Sequence, residues 1–166
     1  MRKQQMRLTR DGKQTKVWLT RDEIRKFRRI AVSDRNQIII ELGSKVGLRS
    51  FEIPQVKPSG ISRTDDGDHY RLRVPEGKDT ATGDGKPRDA YLPSAVETKL
   101  FQYQREADIA DDDPFINLQP RSVRAAVKRL ASTAADEYNN DDWEAVSSHD
   151  LRRHYAQRML VTENMN

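Results

Sequence analysis

The chain has 166 residues, 30 Lys+Arg against 26 Asp+Glu, a formal net charge of +4 and no cysteine. One domain's worth of protein is therefore present, and disulfide frameworks, iron–sulfur clusters and Cys-ligated zinc are excluded. The longest aliphatic run, Ile38-Ile39-Ile40, is far too short to span a membrane, and no basic n-region with an apolar stretch marks a signal peptide, so a cytoplasmic protein is expected.

Apolar residues make up 35% of the chain, roughly two fifths once the eight glycines are counted, against about 45–50% in an average soluble domain. One core can be buried, with much of the chain left in solvated loops and faces. The charge is uneven. Residues 1–35 carry a net +8 and residues 36–166 a net −4. A basic leading segment points to a polyanionic partner, nucleic acid first, with a merely solvated tail as the alternative.

In chain order, residues 1–16 are polar and aperiodic and read as a flexible basic arm. A helix then starts at Thr20, whose spacing to Glu23 is that of a capping box. Ile24, Phe27 and Ala31 form its inner face, with Arg25, Arg28 and Arg29 pointing away. A second box, Asp34 with Gln37, opens a helix through Leu42 that stops near Gly47, and Pro54 and Pro58 keep any helix starting near Arg49 short. Between residues 61 and 93 the period changes to two. Tyr70, Leu72 and Val74 share a strand face, and Arg88 to Pro93 reads as the returning strand across a Gly- and Lys-rich connection. Ser94 with Glu97 opens the next helix, carrying Val96, Leu100 and Tyr103 inward. Pro120 at a first helical position starts a long helix with Val123, Val127, Leu130 and Ala134 inside. Arg121, Arg124 and Lys128 form a stripe on its flank, by default a solvated face and alternatively one that touches phosphates. Ser147 or Ser148 caps the last helix, with Leu151, Tyr155 and Met159 facing the core. The expected fold is α+β: mostly helical, with a small three-stranded antiparallel sheet.

Three segments have chemical potential. Arg49, in Gly47-Leu48-Arg49-Ser50-Phe51-Glu52, comes after a helix stop and opens a helical turn, a place suited to an anionic oxygen. The competing reading is a local salt bridge to Glu52. Gly77-Lys78 and Lys86-Pro87-Arg88 flank the hairpin turn, where lysines reach a polyanion or simply decorate an exposed tip. His149 and Arg152, at i and i+3 in the first turn of the last helix, emerge together at its positive end because Leu151 fixes the helix rotation.

In this order, an Arg, a Lys on a β-hairpin and a His-x-x-Arg on a late helix, the chain resembles the tyrosine recombinase (phage integrase) family. Trp18-Leu19-Thr20-Arg21-Asp22-Glu23 resembles the usual opening of that family's catalytic domain, and the likeness spans about residues 17–160. The Asp-rich loops and long hairpin tip look most like archaeal members, haloarchaeal or viral. The resemblance implies a DNA breaking–rejoining fold, with an arm over 1–16 and a catalytic domain over 17–166. It also implies site-specific recombination of double-stranded DNA through a 3′-phosphotyrosine, with no metal or other cofactor and no membrane partner, by a homo-oligomer assembled on DNA. Arg49 and Arg152 would hold the non-bridging oxygens, Lys78 would protonate the leaving 5′-oxygen (Lys86 being the alternative), and His149 would assist proton movement. Lys86, Arg88, Arg121, Arg124, Lys128 and Arg153 would be the DNA contacts. The family's nucleophilic tyrosine lies a few dozen residues beyond the His-x-x-Arg, so none of the five tyrosines matches it, and a C-terminally incomplete catalytic domain is expected. A DNA-binding module without catalysis is the alternative.

Overall fold

The computed structural model describes residues 6–12, 14–77 and 86–164. Lys78 lies outside them. Among the described residues, five helices and two antiparallel sheets are arranged in the order β1 (Arg7–Asp11), β2 (Gln14–Trp18), α1 (Arg21–Ile30), α2 (Asp34–Ser44), β3 (Ile61–Arg63), β4 (Tyr70–Val74), β5 (Arg88–Leu92), α3 (Ser94–Ala107), α4 (Pro120–Glu137) and α5 (Ser148–Asn164). Short 3-10 turns at Ile53–Gln55, Pro58–Gly60 and Asp141–Ala145 link them. The expected α+β class with a three-stranded sheet is present, joined by a second, two-stranded sheet.

The centre of the molecule is α2. Ile38 to Ser44 are buried without interruption, and the helix packs against α1, α3, α4 and α5. A helix enclosed on all sides has no polar face to offer water, which is why its sequence lacks amphipathic contrast. Gly43 permits the approach of α5: a Cβ there would stand 3.0 Å from the Cβ of Leu151. Around this axis α1 stacks Phe27 on Trp143 with ring centroids 5.6 Å apart, and the Tyr138 hydroxyl at the end of α4 donates to the Lys26 carbonyl at 2.8 Å. The three-stranded sheet, ordered β3-β4-β5, buries Leu72, Val74, Ala90 and Leu92, with Tyr70 opposite Leu92 and Val74 opposite Arg88.

Several local expectations are met and several are revised. The Thr20–Glu23 capping box is formed in both directions. For α2 the cap is Ser33, which accepts from the Asn36 amide, and Asp34 is already helical. At α3 Pro93 occupies the cap position, so Ser94 enters the first turn and makes no capping hydrogen bond. From Arg7 onward the basic segment is a hairpin rather than an aperiodic arm, turning at Gly12 with φ of +62°. Arg28 does not point away: its Nη1 reaches Glu41 on α2 at 2.6 Å. Met159 is 39% exposed, along with Leu160 and Val161, because α5 extends past the elements that cover its first two turns.

Candidate functional site

Lys45 ends α2, and Gly47 then turns the chain with φ of +79°, a left-handed conformation that glycine adopts without strain. A side chain there would also collide with the Tyr155 ring, so the loop lies directly on α5. This contact delivers Arg49 and Glu52 to the middle of the molecule. Glu52 is fully buried. Its carboxylate accepts the Arg49 amide at 2.9 Å and two hydrogen bonds from Arg88, Nε and Nη2, each at 2.9 Å. The Arg49 guanidinium stands further off, with Nη1 3.6 Å from Oε1. Arg49 therefore pairs with Glu52, as its local spacing allowed, but loosely, while Arg88 makes the forked, two-point contact that suits a carboxylate.

Arg152 joins this cluster from α5, its guanidinium 5.9 Å from the centroid of the Tyr155 ring. Burial lowers its pKa first, the charges of Arg49 and Arg88 press the same way, and Glu52 and Tyr155 only partly offset them. Burial likewise opposes the charge on Glu52, but the Arg88 hydrogen bonds, the Arg49 amide and both guanidinium charges outweigh it and hold its carboxyl below the ordinary value of 4.5. Two guanidiniums thus pair with one carboxylate, and a third stands within reach of their charges. The excess positive charge is partly desolvated, the condition under which a bound anion is strongly favoured. Gly77 closes the edge of the cluster. Its amide donates to the Lys86 carbonyl at 2.7 Å, and a Cβ on it would lie 3.6 Å from Glu52 Oε2.

The start of α5 is set by Asp150, which is 1% exposed. Its carboxylate accepts the Val17 amide of β2 at 3.0 Å, the Ser147 amide at 2.9 Å and the Ser147 hydroxyl at 3.0 Å, and it pairs with Arg153. These bonds fix where the helix begins and how it is rotated, and with that the directions of His149 and Arg152. His149 is exposed at the rim of a cleft of about 420 Å³ that it shares with Gln14, Thr15, Ser147, Asp150 and Arg153. The structure therefore gathers Arg49, Arg88 and Arg152 at one point and sets His149 one helical turn from Arg152.

The other candidates separate by what holds them. Arg121 and Lys86 are exposed. Arg124 reaches the Ser50 hydroxyl at 3.4 Å, beside Arg49. Lys128 donates to the carbonyls of Glu144 at 2.7 Å and Val146 at 3.2 Å, tying α4 to the turn before α5. Arg153 pairs with Asp150 and lies 5.7 Å from the centroid of the Trp18 ring. The stripe on α4 is thus three residues with three uses. Sequence reasoning missed the Arg88–Glu52 fork and the organising role of Asp150. For Asp150 a signal was present: an acid three residues after a serine at a helix start has the spacing of a capping box, and its carboxylate accepts the Ser147 amide.

No model of a known family matches the sequence, and no curated protein does. Solved structures match the fold. A XerA recombinase aligns with a TM-score of 0.63 at 19% identity, over 87% of this chain and 50% of that one. A XerH site-specific recombinase bound to difH substrate, a pre-cleavage complex, aligns with a TM-score of 0.64 at 22% identity, over 90% of this chain and 44% of that one. The same recombinase on palindromic difH substrate, a post-cleavage complex, gives 0.63 at 19%, over 90% and 43%. The chain spans about half the length of these proteins, and it has the fold seen in tyrosine recombinases.

Proposed function

We propose that this chain carries the phosphate-activating part of a tyrosine recombinase, acting on a scissile phosphodiester of double-stranded DNA. The observation that carries this reading is the convergence of Arg49 and Arg88 on the single buried carboxylate of Glu52, with Arg152 near enough to feel all three charges. Arg49 and Arg152 hold the non-bridging oxygens, where charge grows as the tyrosine oxygen bonds to phosphorus and the bond to the 5′-oxygen breaks. Arg88 and Glu52 act behind them: the fork fixes Glu52, and Glu52 fixes the Arg49 backbone. Lys78, next in the chain after Gly77, protonates the departing 5′-oxygen as general acid. His149 takes up the proton from the nucleophile or supports the phosphate. Lys86, Arg121 and Arg124 are the backbone contacts, and the protein works as a homo-oligomer on its DNA.

No tyrosine of this chain takes the nucleophile's role in this reading. Tyr155, nearest to Arg152, is committed to packing on Gly47. The attacking tyrosine then comes from another segment or another polypeptide. The same observation favours a second reading, a module that occupies recombination sites without cutting them. Incubating the polypeptide, extended to its gene's own stop codon, with nicked suicide duplexes bearing its bound site separates the two. A covalent protein–DNA adduct that disappears in Arg152→Ala is the expected result. Tight binding with no adduct supports the second reading.

A further inference from the structure

A second concentration of positive charge lies between α1 and α5. Arg21, Arg25 and Arg28 of α1, Lys45 after α2 and Arg158 of α5 line a cleft of about 90 Å³ with Ile24 and His154. Arg28 and Lys45 converge on Glu41, Nη1 at 2.6 Å and Nζ at 3.1 Å, and among the described residues no carboxylate lines the cleft itself. Arg28 and Lys45 thus share one acid, with Arg21 and Arg25 beside them. With about 100° of rotation per residue, Arg158 lies on the opposite side of α5 from His149 and roughly a third of a turn from Arg152.

His154 forms the wall of this cleft and is 4% exposed. Its Nδ1 lies 2.8 Å from the Leu19 carbonyl oxygen, so Nδ1 carries the proton of the neutral ring and Nε2 is left to exchange one. Burial is the largest influence lowering its pKa, and the charges of Arg158 and Arg21 add to it against the Leu19 bond. Arg158 is depressed in turn by burial and by Arg21. Mutual repulsion of this kind is relieved by an anion, and several cations in one small cleft favour a multivalent one over a single carboxylate.

We infer that the cleft bounded by Arg21, Arg25, Lys45, His154 and Arg158 is a second, non-catalytic binding site for a phosphate-class polyanion. The forked guanidiniums on α1 take the non-bridging oxygens, and His154 accepts a proton as the anion binds. The site stands whether or not the arginine cluster around Glu52 cuts DNA.

Inorganic pyrophosphate is the probe, with titration calorimetry and the His154 imidazole resonances as readouts. Saturable binding is expected, with an upward shift of the His154 pKa, because an anion beside the ring favours its charged form against the burial and the Arg158 and Arg21 charges that lower it. Read at the His154 resonances, Arg21→Ala and Arg25→Ala, both at exposed positions, should each weaken binding about tenfold, while the His154 titration keeps its midpoint in Arg49→Ala. Two supporting outcomes identify the source of the phosphate. Displacement of pyrophosphate from His154 by a short duplex names the DNA backbone. A duplex that leaves the His154 signals unmoved names a free polyphosphate. An unmoved His154 resonance at millimolar pyrophosphate, or binding lost in Arg49→Ala and kept in Arg21→Ala, overturns the site.

Discussion

Glu52 is held ionised at full burial by forces that exist only in the folded chain, and this makes stability depend on pH. Its pKa is depressed by folding, so its contribution is complete above the unfolded value near 4.5 and is lost as pH falls through the lower folded value. Glu52→Ala removes the counter-charge of Arg88 and leaves Arg49, Arg88 and Arg152 to repel one another. Breaking a buried pair costs about 3–5 kcal/mol, and the 35% exposure of the Arg88 side chain places this one near the lower end. Urea denaturation at pH 7 should show that loss. Glu52→Gln keeps the shape and should flatten the acid limb of stability below pH 4.5; an unchanged limb would assign it to other carboxylates. His154 acts in a different window. Its folded pKa is also depressed, so the unfolded chain takes up the proton first as pH falls below 6.5, and stability declines from there until the folded value is reached. His154→Gln should abolish the decline that begins at about pH 6.5, whatever it does to stability at higher pH, and a melting-temperature series against pH reads this.

At the scale of elements, the β1–β2 hairpin and α5 are coupled through one side chain. Asp150→Ala leaves the Val17 amide and the Arg153 guanidinium without their buried acceptor, a cost of about 3 kcal/mol. The damage should be local: amide hydrogen exchange at Val17 and its strand neighbours should speed up before exchange in α2 does. Uniform acceleration across α2 would instead make Asp150 part of the global core. This coupling also explains what the sequence could and could not disclose. Helices were legible because their signals are local, as in the Thr20–Glu23 box and the inward faces of α1 and α4. Where two cap formers stand side by side, Ser33 and Asp34, local pattern cannot choose between them; and a proline directly before Ser94 displaced the expected cap. The hairpin was illegible because a single side chain of β2, Val17, enters the core, too few for a period of two, and its other anchor is a carboxylate 133 residues away. The arginine cluster divides the same way. Arg49 and Arg152 were found from motif order, whereas the Arg88–Glu52 fork joins residues 36 apart and was masked by the local i+3 pairing of Arg49 with Glu52.

For the whole molecule, the uneven charge separates into three destinations. Part of the leading net +8 sits at the Trp18 ring, where the Arg7 guanidinium lies 5.2 Å from the centroid. Part lines the cleft of Arg21, Arg25 and Arg28 between α1 and α5. The arginines around Glu52 draw on none of it, since Arg49, Arg88 and Arg152 all lie in the remainder of the chain, which is net negative. Net charge is therefore a poor guide to where a duplex binds, and the salt dependence of binding is a better one. Each phosphate neutralised by the protein contributes close to one to the slope of log affinity against log salt. On the proposed function, Arg49→Ala and Arg152→Ala should each lower that slope by about 1 in anisotropy titrations of duplex DNA between roughly 50 and 200 mM salt. Lys128→Ala and Arg153→Ala should leave the slope unchanged and instead lower the melting temperature. Their charges are engaged with the Glu144 and Val146 carbonyls and with Asp150. Four variants that each remove one cation thus divide into two pairs, one read in the salt slope and one in stability. A slope loss in the second pair would mean that intramolecular contacts at Lys128 and Arg153 open when DNA arrives.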